Sequence, residues 1–357
     1  MWPDRRILEL FDIEIPIIQA PMAGPGTPEL AVAVSNAGGL GSLPCAQLDL
    51  AQTRASLERI GRETSRPINL NFFCHRLPRT DAERNLAWLA RLAPYYAEFG
   101  LEPGAAAASA GRRPFDADFC SLLEEHRPRV VSFHFGLPQP LLLGRVKAAG
   151  CKVISSATTV AEARWLEQHG CDAIIAMGSE AGGHRGSFLS EDMSRQIGTF
   201  ALLPQVADAV AVPVIAAGGI ADARGIVAAV ALGAAAVQIG TAYLFCPEAN
   251  VSKIHLEALL NAADDETMIT NVFTGRPARG IVNRLMREQG PLSAFTPEFP
   301  LAAAAVAPLK AQAEAAGSGS FTNLWSGQSV RLARRSRPAG ELTRLLWDEA
   351  SRLRADA

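Results

Sequence analysis

Three things are scarce in this 357-residue chain: aromatic side chains, net charge and clustered cysteine. Aromatic residues make up 6% of the sequence, which leaves little for stacking on bases. The 34 Lys+Arg nearly balance the 36 Asp+Glu, a formal charge of -2, where a nucleic-acid binder carries a basic surplus. The six cysteines (Cys45, Cys74, Cys120, Cys151, Cys171 and Cys246) include no CxxC and no Cys/His pair at zinc-ligand spacing. Reduced thiols in a reducing compartment are therefore expected, with no metal site and no disulfide framework. No apolar run reaches the ~18 residues of a membrane span without glycines or charges. The N-terminal MWPDRRILELFDIEIP carries acids and no continuous apolar stretch, so it does not read as a signal peptide. What is abundant is aliphatic surface, 48% hydrophobic against 20% charged, which excludes wholesale disorder and points to a cytoplasmic globular enzyme.

That aliphatic content is arranged in eight short runs: Pro16 to Met22, Gly39 to Pro44, Ile68 to Phe73, Val130 to Gly136, Lys152 to Thr158, Ala173 to Gly178, Pro213 to Gly219 and Ala236 to Phe245. They are too short for helices and too uniformly apolar for half-exposed strands, as parallel strands covered by helices must be. Stretches such as TVAEARWLEQHG and DARGIVAAVALG lie between them and close on glycine, the usual helix stop. Eight such units predict a (β/α)8 TIM barrel. A doubly wound sheet is the runner-up, but no strand leads into a clean GxGxxG turn with an acid about 20 residues on. The barrel is expected over 1–250, with an insertion at about 74–129 holding a helix around Asp81 to Phe99 and a Gly/Ala break at Gly104 to Gly111. A smaller, mostly helical appendage over 251–357 is expected to pack on the barrel mouth.

Barrel chemistry sits at the C-terminal ends of the strands. Gly218–Gly219 ends the seventh run and leads into a helix near Asp222, and Gly240–Thr241 is read as lying inside the eighth run. Glycine-freed amides beside a helix N-terminus make an anion site where barrels bind phosphate, although a lone Gly-Gly can merely turn the chain. After the sixth run comes SEAGGHRG, Ser179 to Gly186, three glycines around His184. With an unperturbed pKa near 6.5, a histidine there can accept a proton near neutrality. Glu180 and Arg185 flank it and read as solvated loop residues. His134, in line with Ser132 on the fourth run, reads equally as a buried hydrogen-bonded histidine or a catalytic one. Asn71 suits an amide contact to a heterocycle or a phosphate, and Pro21 stiffens the turn Gln19 to Met22.

These segments carry a likeness. PIIQAPMAGPGTPELAVAVSNAGGLGSLP, SEAGGHRG and PVIAAGGIADARGIVAAVALGAAAVQIGTAYL, followed by FTGRPARGIVNR (Phe273 to Arg284) and LWSGQS (Leu324 to Ser329), resemble the class I nitronate monooxygenases, formerly called 2-nitropropane dioxygenases. The resemblance is collinear from about Ile15 to Leu332 and weakest over Cys74 to Arg129 and Leu301 to Ser320. It implies FMN with its phosphate held by Gly182, Gly183, Gly218 and Gly219 together with Gln238, Ile239, Gly240 and Thr241. The ring is expected near Ala20, Pro21, Met22 and Asn71. It further implies that His184 is the catalytic base, that His134 is a second histidine near the flavin, and that a nitronate or nitroalkane reacts with molecular oxygen.

Two departures from the family pattern stand out. Met177 replaces the usual Gln, so one polar contact to the flavin is expected to be lost. Phe299, Ala302, Ala303 and Val306 occupy places where relatives often have Tyr or other polar residues. If that segment faces the substrate, the pocket is more apolar and the preferred substrate differs from a small nitronate such as propionate 3-nitronate. Two other functions fit the scaffold: a flavin-dependent NAD(P)H reductase of the enoyl-thioester or quinone type, and a catalytically silent flavin-binding protein.

Overall fold

The computed structural model describes residues 2–103 and 112–356; the Gly104 to Gly111 break lies outside them. Eleven strands appear among these residues: β1 Ile17–Gln19, β2 Gly41–Pro44, β3 Ile68–Phe73, β4 Val130–His134, β5 Lys152–Ala157, β6 Ala173–Met177, β7 Gly183–His184, β8 Val214–Ala217, β9 Ala236–Ile239, β10 Thr267–Thr270 and β11 Ala278–Ile281. Eight of them form one parallel sheet in the order β1-β9-β8-β6-β5-β4-β3-β2. The two edges meet: Gln19 N–H donates to the Leu40 carbonyl at 2.9 Å and Leu40 N–H to that of Ile17 at 3.0 Å, with an Ile18–Leu40 bridge between them. The sheet is a TIM barrel, built from the eight runs that the sequence marks.

Its interior is layered by depth. Ile18, Leu40, Val130, Ile154, Ile175 and Ile215 fill the lower part, and the helix Arg6–Phe11 plugs it with Ile7, Leu8 and Phe11. Toward the mouth the inward residues turn polar and bond each other. Asn69 donates to the Ser42 hydroxyl at 3.0 Å and Asn71 to that of Ser132 at 2.9 Å, while Gln19 accepts from the Ser42 N–H at 2.8 Å. Most of these buried polar groups survive because they find a partner; among the described residues Asn69 Oδ1 has none.

The part expected to be an insertion and the part expected to be an appendage share one core. Trp88, Leu92, Tyr95 and Tyr96, from the helix Ala82–Glu98, pack with Val272, Phe273, Leu285, Met286, Val306, Leu309 and Phe321. The Tyr96 hydroxyl donates to the Ala305 carbonyl at 2.7 Å. This cap is not wholly helical, because β10 and β11 pair antiparallel and β7 adds a third strand. The last helix, Ala339–Ala355, leaves the cap and packs against the helices Pro28–Asn36 and Ala223–Ala231, filling the eighth place in the helical ring. On that packing we propose that the barrel comprises 1–250 and this last helix, with the cap formed from the segments between.

Candidate active site

A cavity of about 460 Å³ opens at the C-terminal ends of the barrel strands, under the cap. Nearly every residue singled out from the sequence lies on its wall: Ala20, Pro21 and Met22 after β1, Asn71, His134, Met177, Gly182, Gly183, His184, Gly218, Gly219, Gln238, Gly240 and Thr241. Ile239 does not. Its side chain is fully buried in the layer between strands and helices, because alternate residues of a strand face opposite sides and Gln238 already faces the cavity.

One side of the cavity is made of backbone. Gly218 and Gly219 take φ of +112° and +73°, a region that side chains other than glycine rarely enter. A Cβ on Gly182 would stand 2.6 Å from the Gly327 nitrogen, so only glycine lets LWSGQS approach. Among the described residues, the N–H groups of Gly182 and Gly219 meet no acceptor. The Ser329 hydroxyl donates to the Gly219 carbonyl at 2.7 Å, and Thr241 Oγ1 accepts the Gly327 N–H at 2.9 Å, which leaves the Thr241 proton free to donate. Gly240 and Thr241 are not inside a strand, as the sequence suggested. β9 ends at Ile239 and Gly240 caps a 3-10 turn over Thr241–Phe245, which turns both residues onto the cavity wall. Gln238 Oε1 is buried and, among the described residues, has no partner.

The neighbours of His184 are bonded into the fold, Glu180 half-buried and Arg185 fully. Both Glu180 carboxylate oxygens accept the Thr199 N–H, at 2.9 and 2.8 Å, and so cap the helix Thr199–Ala209. Arg185 is fully buried and donates to the Met177 carbonyl at 2.9 Å and to Gln196 at 2.8 Å. The glycine-rich loop is thus held tightly. Its β7 segment pairs with β11, His184 opposite Ala278, which ties the histidine to the cap.

The other side of the cavity is made of side chains. The Thr274 hydroxyl donates to the Arg276 carbonyl at 3.3 Å, so its oxygen accepts from His184 Nε2–H at 2.9 Å. The lone pair is thereby assigned to His184 Nδ1. Burial first, then the charges of Arg112, His134, Arg276 and His75, hold this imidazole well below its ordinary 6.5. His134 is placed differently from a base. Its Nε2–H donates to the His184 carbonyl at 3.1 Å and its Nδ1 accepts the Ser156 hydroxyl at 3.1 Å, so both ring nitrogens are taken. Burial lowers its pKa to about 4 and keeps it neutral. The rings of Phe73, Phe135, Phe299 and Trp325 surround His184 at centroid distances of 5.2 to 6.1 Å.

The comparisons with known proteins decide the family. The nitronate monooxygenase family model matches residues 4–349. The chain belongs to the nitronate monooxygenase family. The nitronate monooxygenase of Pseudomonas aeruginosa is 43% identical over 346 residues, 96% of this chain and 98% of that protein. The solved nitroalkane oxidase from Streptomyces ansochromogenes superposes with a TM-score of 0.89 at 38% identity, covering 98% of this chain and 99% of the other. The structure of FabK from Thermotoga maritima follows at a TM-score of 0.74 and 28% identity over 98% and 97% of the two chains. As a nitronate monooxygenase family member the protein is an oxidoreductase, and membership implies a flavin and a small nitronate substrate with oxygen. Among the described residues no helix is long and apolar enough to cross a membrane, and no group of three His, Cys, Asp or Glu is placed to hold a metal.

The two departures read differently in three dimensions. Met177 does lie on the wall, at the end of β6. Ala302, Ala303 and Val306 do not. Val306 packs into the cap core with Leu309 and Ala313, and the cavity receives Lys310 and Glu314 from the same helix. The segment thus brings charge to the cavity, where its composition suggested an apolar wall; helical periodicity turns the two sets of side chains to different faces. Phe299 is buried beside His184, 5.2 Å between ring centroids. Three residues were missed. Thr274 and Trp325 stand in the quoted motifs FTGRPARGIVNR and LWSGQS, without a role that spacing could assign. Arg112 lies in the stretch of weakest resemblance, where nothing in the sequence marks it.

Proposed function

We propose that the protein catalyses FMN-dependent oxidation of alkyl nitronates with molecular oxygen, and of neutral nitroalkanes once His184 has removed the α-proton. The observation that carries this reading is the assigned lone pair on His184 Nδ1, on a ring that borders the cavity and is fixed at its other nitrogen by Thr274. A base kept neutral by burial stays in its proton-accepting form below the ordinary histidine range. His134 acts as a positioning residue that holds the His184 carbonyl.

The wall fits a flavin mononucleotide. The free amides of Gly182 and Gly219 and the Thr241 hydroxyl suit a phosphate, and the orphaned Gln238 Oε1 suits a ring N–H. Gly183, Gly218 and Gly240 leave room for both, with Ala20, Pro21, Met22, Asn71 and Met177 toward the ring. When bound, the flavin supplies the electron acceptor that a nitronate requires. The chain's own work is to bind the substrate, orient it, exclude water with the cap and hold the proton on His184. The six cysteines, all free and five of them buried, accord with a cytoplasmic location.

Purified protein should release FMN on denaturation and consume oxygen with ethyl nitronate. The FabK likeness keeps a reductase in view. Anaerobic mixing separates the two, since bleaching by NADPH alone would favour the reductase and bleaching by nitronate alone the oxidase.

A further inference from the structure

Arg185 Nη1 and Arg276 Nε lack a partner among the described residues, yet each arginine that borders the buried site donates to at least one acceptor through its other nitrogens, with one exception. Arg185 donates to the Met177 carbonyl at 2.9 Å, Arg279 to those of Ser179 at 2.8 Å and Thr267 at 3.1 Å, and Arg276 to that of Ser187. On the surface, Arg54, Arg145 and Arg284 each face a glutamate. Arg112 lines the cavity and, among the described residues, its side chain meets neither a carboxylate nor a carbonyl. Its Nη1 is shut off from solvent with no partner there, and its guanidinium carbon stands 5.5 Å from the Phe299 ring, the same ring that packs against His184. Desolvation lowers the affinity of Arg112 for its proton, as expected of a cation that lacks a counter-ion. Holding a charge in that state is costly, and a planar two-oxygen anion arriving beside it would remove the cost.

We propose that Arg112 is a specificity-determining residue that receives the nitronate group of the substrate as a planar anion, beside Phe299 and within reach of the His184 pocket. This rests on the nitronate reading above and adds to it a division of labour. Arg112 selects the charged form of the substrate, and His184 serves only the neutral form. A guanidinium fork matches two oxygens on one nitrogen as it matches a carboxylate, whereas a lysine presents a single point of charge. No bond is made or broken at Arg112, so its contribution belongs in KM for the anion and not in kcat.

The test uses the holoenzyme, Arg112→Met and Arg112→Lys, with ethyl nitronate, neutral nitroethane and nitrate, an unreactive planar anion. Nitrate should compete with ethyl nitronate in the wild type. Arg112→Met should raise the KM for ethyl nitronate roughly tenfold or more with little change in kcat, and abolish nitrate inhibition. Its KM for nitroethane should stay within about twofold, and Arg112→Lys should restore part of the nitronate affinity. An unchanged nitronate KM with nitrate still competing overturns the proposal, as does an equal loss on both substrates together with a lowered melting temperature. Nitrate binding is also read by calorimetry on wild type and Arg112→Met. If the wild type binds nitrate through Arg112 but oxidises no nitronate, the anion site stands and the functional reading above falls.

Discussion

The two sides of the cavity are built from different materials. The side of Gly182, Gly219 and Thr241 offers backbone amides and a hydroxyl, from loops that close within a few residues of their own strands. The side of His184 is assembled from side chains that are distant in sequence: Phe73, His134, Thr274, Phe299 and Trp325. The first can bind any group shaped like a phosphate, because amides carry no side-chain identity. The second decides which protons and which charges are tolerated.

The sharpest way to break that division is His184→Asn. Turnover of neutral nitroalkane should fall by roughly 10²- to 10⁴-fold while oxidation of preformed nitronate persists, as parallel oxygen-consumption assays would show. Equal losses on both substrates would refute a proton-transfer role.

Acid acts on the buried histidines. His75, His134 and His255 all titrate at about 4 in the folded protein, chiefly through burial. The unfolded chain binds those protons near 6.5. Stability is therefore fully present above about pH 6.5 and is lost as pH falls toward 4. For His134, which Arg276 and Arg185 also face, the loss amounts to at most about 3 kcal/mol. Urea midpoints at pH 7 and pH 5 should move apart in the wild type and less so in His134→Gln.

Gly182→Ala probes the backbone half. Its new Cβ would meet the Gly327 nitrogen at 2.6 Å and push LWSGQS away. A cost of about 1–3 kcal/mol and a marked loss of retained flavin are expected, read by absorbance after gel filtration. Full flavin occupancy would place the phosphate elsewhere. The smallest effect belongs to Thr274→Val, which removes the hydroxyl that fixes His184 Nε2–H. About 1 kcal/mol of lost orientation should lower nitroalkane turnover several-fold and leave nitronate KM unchanged.

Most of the barrel was readable from the chain. Eight apolar runs became eight parallel strands, and the helices expected around Asp81 and near Asp222 begin there, each capped by that aspartate. The backbone half of the site was readable for the same reason: glycine leaves a local mark that needs no partner. What failed depended on which way a segment faces once the chain is folded. Arg185 read as solvated but is buried, since the strand end that it bonds is brought over it by the fold. Ala302, Ala303 and Val306 read as a pocket wall, but their helix turns Lys310 and Glu314 to the cavity.

By itself the sequence determined the strand and helix periods, the glycines that permit close backbone approach, and a histidine at a strand end. Each depends on a conformational preference or a pattern acting over a few residues. Only the tertiary structure decided that one cap core unites residues 82–98 with 272–321, that Thr274 sets the tautomer of His184, and that Arg112 stands beside the cavity without a counter-ion among the described residues. Those outcomes depend on which surfaces meet when the cap closes over the barrel. Burial then converts each meeting into a change of charge or proton affinity that no local pattern encodes.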